Sequence, residues 1–133
     1  MMTSQHSLAF CPHYHRAIEL IGRRWTGAIL RVIYDGTNRF SDIAAAVPGL
    51  SDRLLSERLK ELEMEGIVTR TVYPDIPVRI EYCLTEKGRD LGQIMDGIGD
   101  WAHKWLAGQH ELPEKFDDDL RSPSDRDLTL SER

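Results

Sequence analysis

Cysteine is scarce in this 133-residue chain. Cys11 and Cys83 are the only two, too few for a disulfide framework to stand in for a core. No apolar run approaches the ~20 residues that a membrane-spanning helix requires. Residues 1–10 lack the basic patch and apolar stretch of a signal peptide, so a cytoplasmic chain with no membrane partner is expected. A glycine-rich phosphate loop is missing, as is a Ser/His/Asp arrangement able to activate a nucleophile. Cys11, His13 and His15 alternate at a spacing that matches no standard zinc pattern, and neither a fourth ligand nor an orienting carboxylate accompanies them. The expectation is no metal, no cofactor and no enzyme chemistry.

What is present is an ordinary globular composition, 41% hydrophobic and 29% charged, in a length that suits one domain. The net charge of −5 at first argues against a nucleic-acid partner. Its distribution removes the objection. From Gln109 onward the chain carries eight acidic and four basic residues, whereas the preceding 108 residues carry 14 and 13. A near-neutral body binds DNA if its cations share one face, because phosphate neutralisation is local. Composition shifts at the same point, with Pro113, Asp117-Asp118-Asp119 and Pro123. The expected organisation is a flexible arm at 1–10, a folded domain at 11–108, and an acidic, disordered tail at 109–133.

The most telling stretch runs from Gly49 to Gly88. Ser51 is a good N-cap. Leu54, Leu55, Leu59 and Leu62 recur at helical spacing, with Arg53, Ser56, Glu57, Lys60 and Glu61 polar around them. Gly66 lies where a helix end wants a left-handed residue. Residues 67–73 and 79–85 are β-branched and alternating, as strands are. Pro74-Asp75-Ile76-Pro77-Val78 joins them, too long and stiff for a tight hairpin turn. On that alternation Cys83 falls opposite Ile80, Tyr82 and Leu84, which predicts an exposed thiol. A helix with polar side chains outward, followed by a two-stranded projection, is the layout of a winged helix-turn-helix.

The flanks fit this reading. Pro12 suits position N1 of a first helix, with Ala17, Ile18, Leu20 and Ile21 as its apolar face and Gly22 as its end. A second helix is expected over 25–34, with Trp25, Ile29, Leu30, Val32 and Ile33 in the core. Asp35-Gly36-Thr37-Asn38 is a turn by composition, and Arg39-Phe40 a short strand or linker. Ser41 is expected to cap a third helix over 42–46, and Pro48-Gly49 breaks it before the Ser51 helix, completing a helix-turn-helix. A last helix should run to about residue 106. In it Leu91, Ile94, Met95, Ile98, Trp101, Ala102 and Trp105 form a stripe close to a coiled-coil seam. Gly92, Gly97 and Gly99 each weaken that helix by about 1 kcal/mol relative to Ala and permit close approach of another helix. The stripe serves either the subunit's own core or a subunit interface, and its extent beyond the minimal winged unit favours the interface. The fold class is mainly α with a small β-wing.

These residues resemble the HxlR-type transcriptional regulators, which are related to the MarR group. The resemblance is carried by Cys11-Pro12, Ile18-Glu19-Leu20-Ile21-Gly22-Arg23-Arg24-Trp25-Thr26, Arg39-Phe40-Ser41 and Pro48-Gly49-Leu50-Ser51. It continues through Leu54-Leu55-Ser56-Glu57-Arg58-Leu59, Gly66-Ile67-Val68, Pro77-Val78-Arg79-Ile80-Glu81-Tyr82 and Leu84-Thr85-Glu86-Lys87-Gly88. It implies a sequence-specific regulator, repressor or activator, that binds double-stranded operator DNA of inverted-repeat form as a homodimer. It further implies that the first and last helices build the dimer, which groups Ile18 with Ile94, Met95, Ile98, Trp101 and Trp105. The rival expectation is a dimeric protein-interaction module that keeps the fold without binding DNA.

Side chains at the N-terminal, exposed positions of a groove-bound helix reach base edges. Here those are Asp52, Arg53, Ser56 and Glu57, following Ser51. Arg53 is the best base reader, since a guanidinium bonds a guanine edge with two hydrogen bonds. Lys60 lies further along the same face and suits the phosphate backbone, while Arg58 suits either DNA or a glutamate of its own helix. Ser41 at a helix start and the adjacent Arg39 suit a phosphate. Arg70 and Arg79 on the wing suit phosphates or the minor groove. Cys11 precedes a helix N-terminus, whose dipole and free N–H groups favour a reactive thiol. An inert cysteine in a dimer interface is equally consistent with its position. Some HxlR-type regulators sense electrophiles or oxidants through the cysteine before that first proline. The resemblance therefore favours a sensor, with an oxidant or small molecule as effector.

Overall fold

The computed structural model describes residues 9–108. Residues 1–8 of the expected arm and the tail at 109–133 lie outside the described residues. Five helices and a two-stranded hairpin follow in the order α1 (Pro12–Ile21), α2 (Thr26–Tyr34), α3 (Phe40–Ala46), α4 (Asp52–Met64), β1 (Val68–Tyr73), β2 (Arg79–Leu84) and α5 (Glu86–Trp105). None of the described helices is long and apolar enough to cross a membrane.

Local signals set most of the boundaries. Pro12 opens α1, where its missing N–H costs nothing. The Ser51 hydroxyl accepts the backbone N–H of Leu54 at 3.1 Å and caps α4. At the other end Gly66 adopts φ 75°. The N–H of Ile67 reaches the Leu62 carbonyl at 2.9 Å, and that of Gly66 reaches Glu63 at 3.0 Å, which closes a Schellman motif. The Thr85 hydroxyl serves two elements. It accepts the Gly88 N–H at the start of α5 and donates to the Gly66 carbonyl at 2.6 Å. β1 and β2 pair antiparallel from Val68↔Leu84 to Tyr73↔Arg79.

Two helix starts differ from the sequence expectation. α3 begins at Phe40, with Arg39 at its N-cap and no side-chain cap bond, so Ser41 lies inside the first turn. The cause is long-range: Arg39 forms a β-bridge with Glu81, and its backbone enters the helix directly from that extended conformation. α2 begins at Thr26 rather than Trp25, which stands at the N-cap with φ 75°. The Trp25 ring lies half-buried against the core, with Arg24 stacked 4.5 Å from its centre.

The core gathers Ile29, Leu30 and Ile33 of α2, Ile43 of α3, and Leu55, Leu59 and Leu62 of α4. Ile67, Val68 and Tyr82 join them from the base of the hairpin. α5 crosses α2, where Leu91 and Met95 pack on the core. Gly92 is what permits this crossing, because a Cβ there would collide with the Tyr34 ring. Replacing Gly92 by leucine should therefore destabilise the fold by about 1–3 kcal/mol, the usual effect of overpacking. Urea unfolding monitored by tryptophan fluorescence would show this as a lowered midpoint at unchanged slope.

Candidate nucleic-acid interface

α4 divides cleanly into two faces. Leu55, Leu59 and Leu62 are buried, which fixes the helix rotation, while Asp52, Arg53, Ser56, Glu57 and Lys60 are exposed. Ser51 precedes them with its hydroxyl committed to the helix cap. Arg53 and Glu57 pair at 3.2 Å across one turn. An exposed i,i+4 pair contributes only a few tenths of a kcal/mol, so the guanidinium is readily surrendered to a base edge.

Arg58 belongs to the scaffold. It is 9% exposed, donates to the Arg24 carbonyl at 2.9 Å and lies 3.4 Å from Glu61. Glu61 also meets Arg23 at 3.0 Å. One turn on, Arg16 of α1 reaches both oxygens of Glu65 at 3.2 Å, and Lys87 of α5 donates to the Glu65 carbonyl at 2.6 Å. The C-terminal end of α4 is thus tied to both terminal helices. Sequence reasoning missed this convergence, because its partners are 49 and 22 residues apart.

Beside α4, Arg39 and Ser41 are exposed at the start of α3. The hairpin approaches them there. The Tyr82 N–H donates to the Asn38 carbonyl at 2.8 Å, and the Asn38 side-chain amide donates back to the Tyr82 carbonyl at 2.6 Å. Asn38, read from sequence only as a turn residue, is the clamp that fixes the wing to the helix-turn-helix. A groove of about 210 Å³ between the two elements is lined by Arg39, Phe40, Ser41, Val78, Arg79 and Ile80.

The two wing cations differ. Arg70 is exposed on β1. Arg79, assigned from sequence to DNA contact, is held by its own hairpin: Asp75 lies at 3.4 Å, Glu81 at 3.1 Å, and the guanidinium stacks 4.2 Å over the Tyr73 ring. Asp75 and Glu81 thus pair with Arg79 within the hairpin, and Asp75 is itself exposed.

A second exposed face is apolar. Ile94, Ile98, Trp101 and Trp105 line one side of α5, with both tryptophans more than half exposed, and Ile18 is exposed on α1. Met95, grouped with them from sequence, turns inward: its methyl is the neighbour a Cβ on Gly27 would meet, at 3.4 Å. Cys11 is half-buried at the extended N-cap of α1, near the tilted ring pair of Phe10 and His15. Cys83 is exposed on β2, as its strand parity requires.

The HxlR-like helix-turn-helix family model matches residues 20–110. The chain belongs to the HxlR family. Its relatives include YvaP of Bacillus subtilis strain 168, an uncharacterized HTH-type transcriptional regulator. YvaP is 50% identical over 96 residues, which span 72% of this chain and 89% of YvaP. Among solved structures, the reduced form of the transcriptional regulator YodB from B. subtilis superposes with a TM-score of 0.65 at 40% identity, covering 76% of this chain and 99% of YodB. The redox regulator HypR in its oxidized form gives a TM-score of 0.66 at 33% identity, covering 77% of this chain and all of HypR. The HxlR fold is thus a winged helix-turn-helix, with α3 and α4 as the helix-turn-helix and β1–β2 as the wing. The chain is a transcriptional regulator of this type, and its relatives are regulators rather than enzymes.

Proposed function

We propose that the chain acts as a cytoplasmic homodimer that sets Arg53 and Ser56 of each α4 into successive major grooves of an inverted-repeat operator. Half-sites would be centred about one helical turn apart. The observation that carries this reading is the division of α4, whose leucine face locks the helix in the core and leaves its capped N-terminal turn outward. Lys60, Arg39, Ser41 and Arg70 are the exposed groups suited to phosphates. Asp52 stands beside them to accept from a cytosine amine or to face away from the backbone. Three phosphate-bound cations per subunit predict a slope of about −5 in log K against log salt. Fluorescence anisotropy on a duplex from the region upstream of the gene measures it, and a flat response would contradict the proposal.

We further propose that Cys11 makes the regulator responsive to oxidants or electrophiles. The likeness to HypR supports this, as does a half-buried thiol at the N-cap of α1. Modification there would shift α1, and α1 holds the end of α4 through Arg16–Glu65 and, just beyond it, Arg23–Glu61. Treatment with the thiol oxidant diamide is expected to change operator affinity of the wild type and of Cys83→Ser, and to leave Cys11→Ser unchanged. An equal response in Cys11→Ser would remove Cys11 from the sensing role.

A further inference from the structure

We infer that Arg31 of α2 is the positioning residue that sets the angle at which α5 leaves the subunit, and through it the half-site spacing that the dimer reads. This rests on the homodimer reading above and assigns control of the dimer's geometry to one side chain. α5 turns one stripe of residues toward α2. A Cβ on Gly92 would collide with the Tyr34 ring, and the Met95 methyl is the neighbour that a Cβ on Gly27 would meet. The Arg31 guanidinium carries the contact one turn further. Its Nη1 lies 3.5 Å from Asp96, and its Nε lies 3.7 Å from Asp35. It rests on the bare backbone of Gly99, where a Cβ would stand 2.6 Å from Nη1 and 3.5 Å from Cζ. Beyond Gly99 every residue of α5 except Ala102 is exposed.

Two observations separate this clasp from an ordinary surface ion pair. Arg31 and Asp96 are both nearly half exposed, so their attraction adds little to stability, and what the pair fixes is a direction. Glycine inside a helix is also unfavourable relative to alanine, yet at position 99 it lets a guanidinium lie against the helix backbone. A Cβ on Gly97 would meet nothing within 4 Å, so the seat belongs to Gly99. At about 100° per residue, Ile94, Ile98, Trp101 and Trp105 lie opposite the Gly92–Asp96–Gly99 stripe. From Gly99 to Trp105 the helix runs on for about 9 Å, with the Arg31 clasp at its root. When the seams of two copies pack together, a change in the angle at that root swings each subunit. Two-fold symmetry doubles the effect on the separation of the two α4 helices, and that separation fixes the half-site spacing.

The experiment uses the full-length chain and three duplexes from the region upstream of its gene. One is native, and the others have one base pair inserted or removed midway between the protected half-sites. One base pair shifts a half-site by about 3.4 Å and turns it by about 35°. The wild type should bind both altered duplexes at least about 100-fold more weakly, because the second half-site is lost. Arg31→Ala removes the clasp. Gly99→Ala evicts it, since the added Cβ displaces the far end of a flexible side chain. Each variant should sediment as a dimer and bind all three duplexes within about tenfold of one another. Gly99→Ala should also unfold at or above the wild-type midpoint, because alanine favours the helix, so its relaxed spacing is not a loss of fold. Wild-type discrimination in either variant, or a monomer in either, overturns the inference and leaves the homodimer reading standing. A wild type that binds the three duplexes equally overturns the homodimer reading itself.

Discussion

Trp101→Asp is expected to convert the protein into a monomer and to abolish tight operator binding. The residues of α5 that are fully buried are Gly88 and Gly92, both in its first two turns. Beyond them the helix runs on to Trp105 with Ile94, Ile98, Trp101 and Trp105 facing outward, at steps of four, three and four residues. A half-helix of this length is marginal in water without packing, and in the proposed homodimer its apolar face packs against a second copy. A carboxylate at the centre of that seam would be buried without a partner, and the dimer cannot absorb it. Loss of the dimer separates two half-site contacts that otherwise reinforce each other, a loss of about 10²–10⁴ in affinity. Sedimentation velocity and operator titration on one sample would read both effects. A Trp101→Asp chain that sediments as a dimer would remove α5 from the interface.

Arg53→Ala carries the second large effect. A bidentate arginine–guanine contact discriminates by about 1–3 kcal/mol per base, and a dimer makes it twice. The variant should therefore lose roughly 30-fold or more in operator affinity while its binding to unrelated DNA falls little. Because Arg53 is exposed and, among the described residues, pairs with Glu57 alone, unfolding midpoints should stay within about 0.5 kcal/mol of wild type. Equal losses on operator and unrelated duplexes would make Arg53 a phosphate contact instead of a base reader.

Much of this architecture was legible because its signals are local. Ser51 and Gly66 act within a few residues of themselves, Thr85 caps α5 three residues on, and the leucines of α4 announce its buried face by spacing alone. What escaped the sequence depends on partners that only the fold brings together. Ser41 looks like a cap, yet the Arg39 bridge to Glu81 starts the helix earlier. Arg58 sits among the polar residues of α4, but a carbonyl 34 residues away draws it inward. Ile94 and Met95 are indistinguishable as hydrophobic neighbours until Gly92 seats on Tyr34 and sets the phase of α5. Asp75 and Glu81 are near Arg79 in the chain, yet spacing alone does not show that the hairpin closes both carboxylates on its guanidinium. The composition did show where the acidity lies, and so kept a DNA partner in view despite the net charge.

The most direct measurement is a hydroxyl-radical footprint of the region upstream of the gene, made with wild-type protein and with Arg53→Ala. The account predicts two protected segments centred about one helical turn apart, on one face of the duplex, that vanish in the variant at the same protein concentration. Absence of protection by the wild type, or an identical footprint from Arg53→Ala, would contradict it.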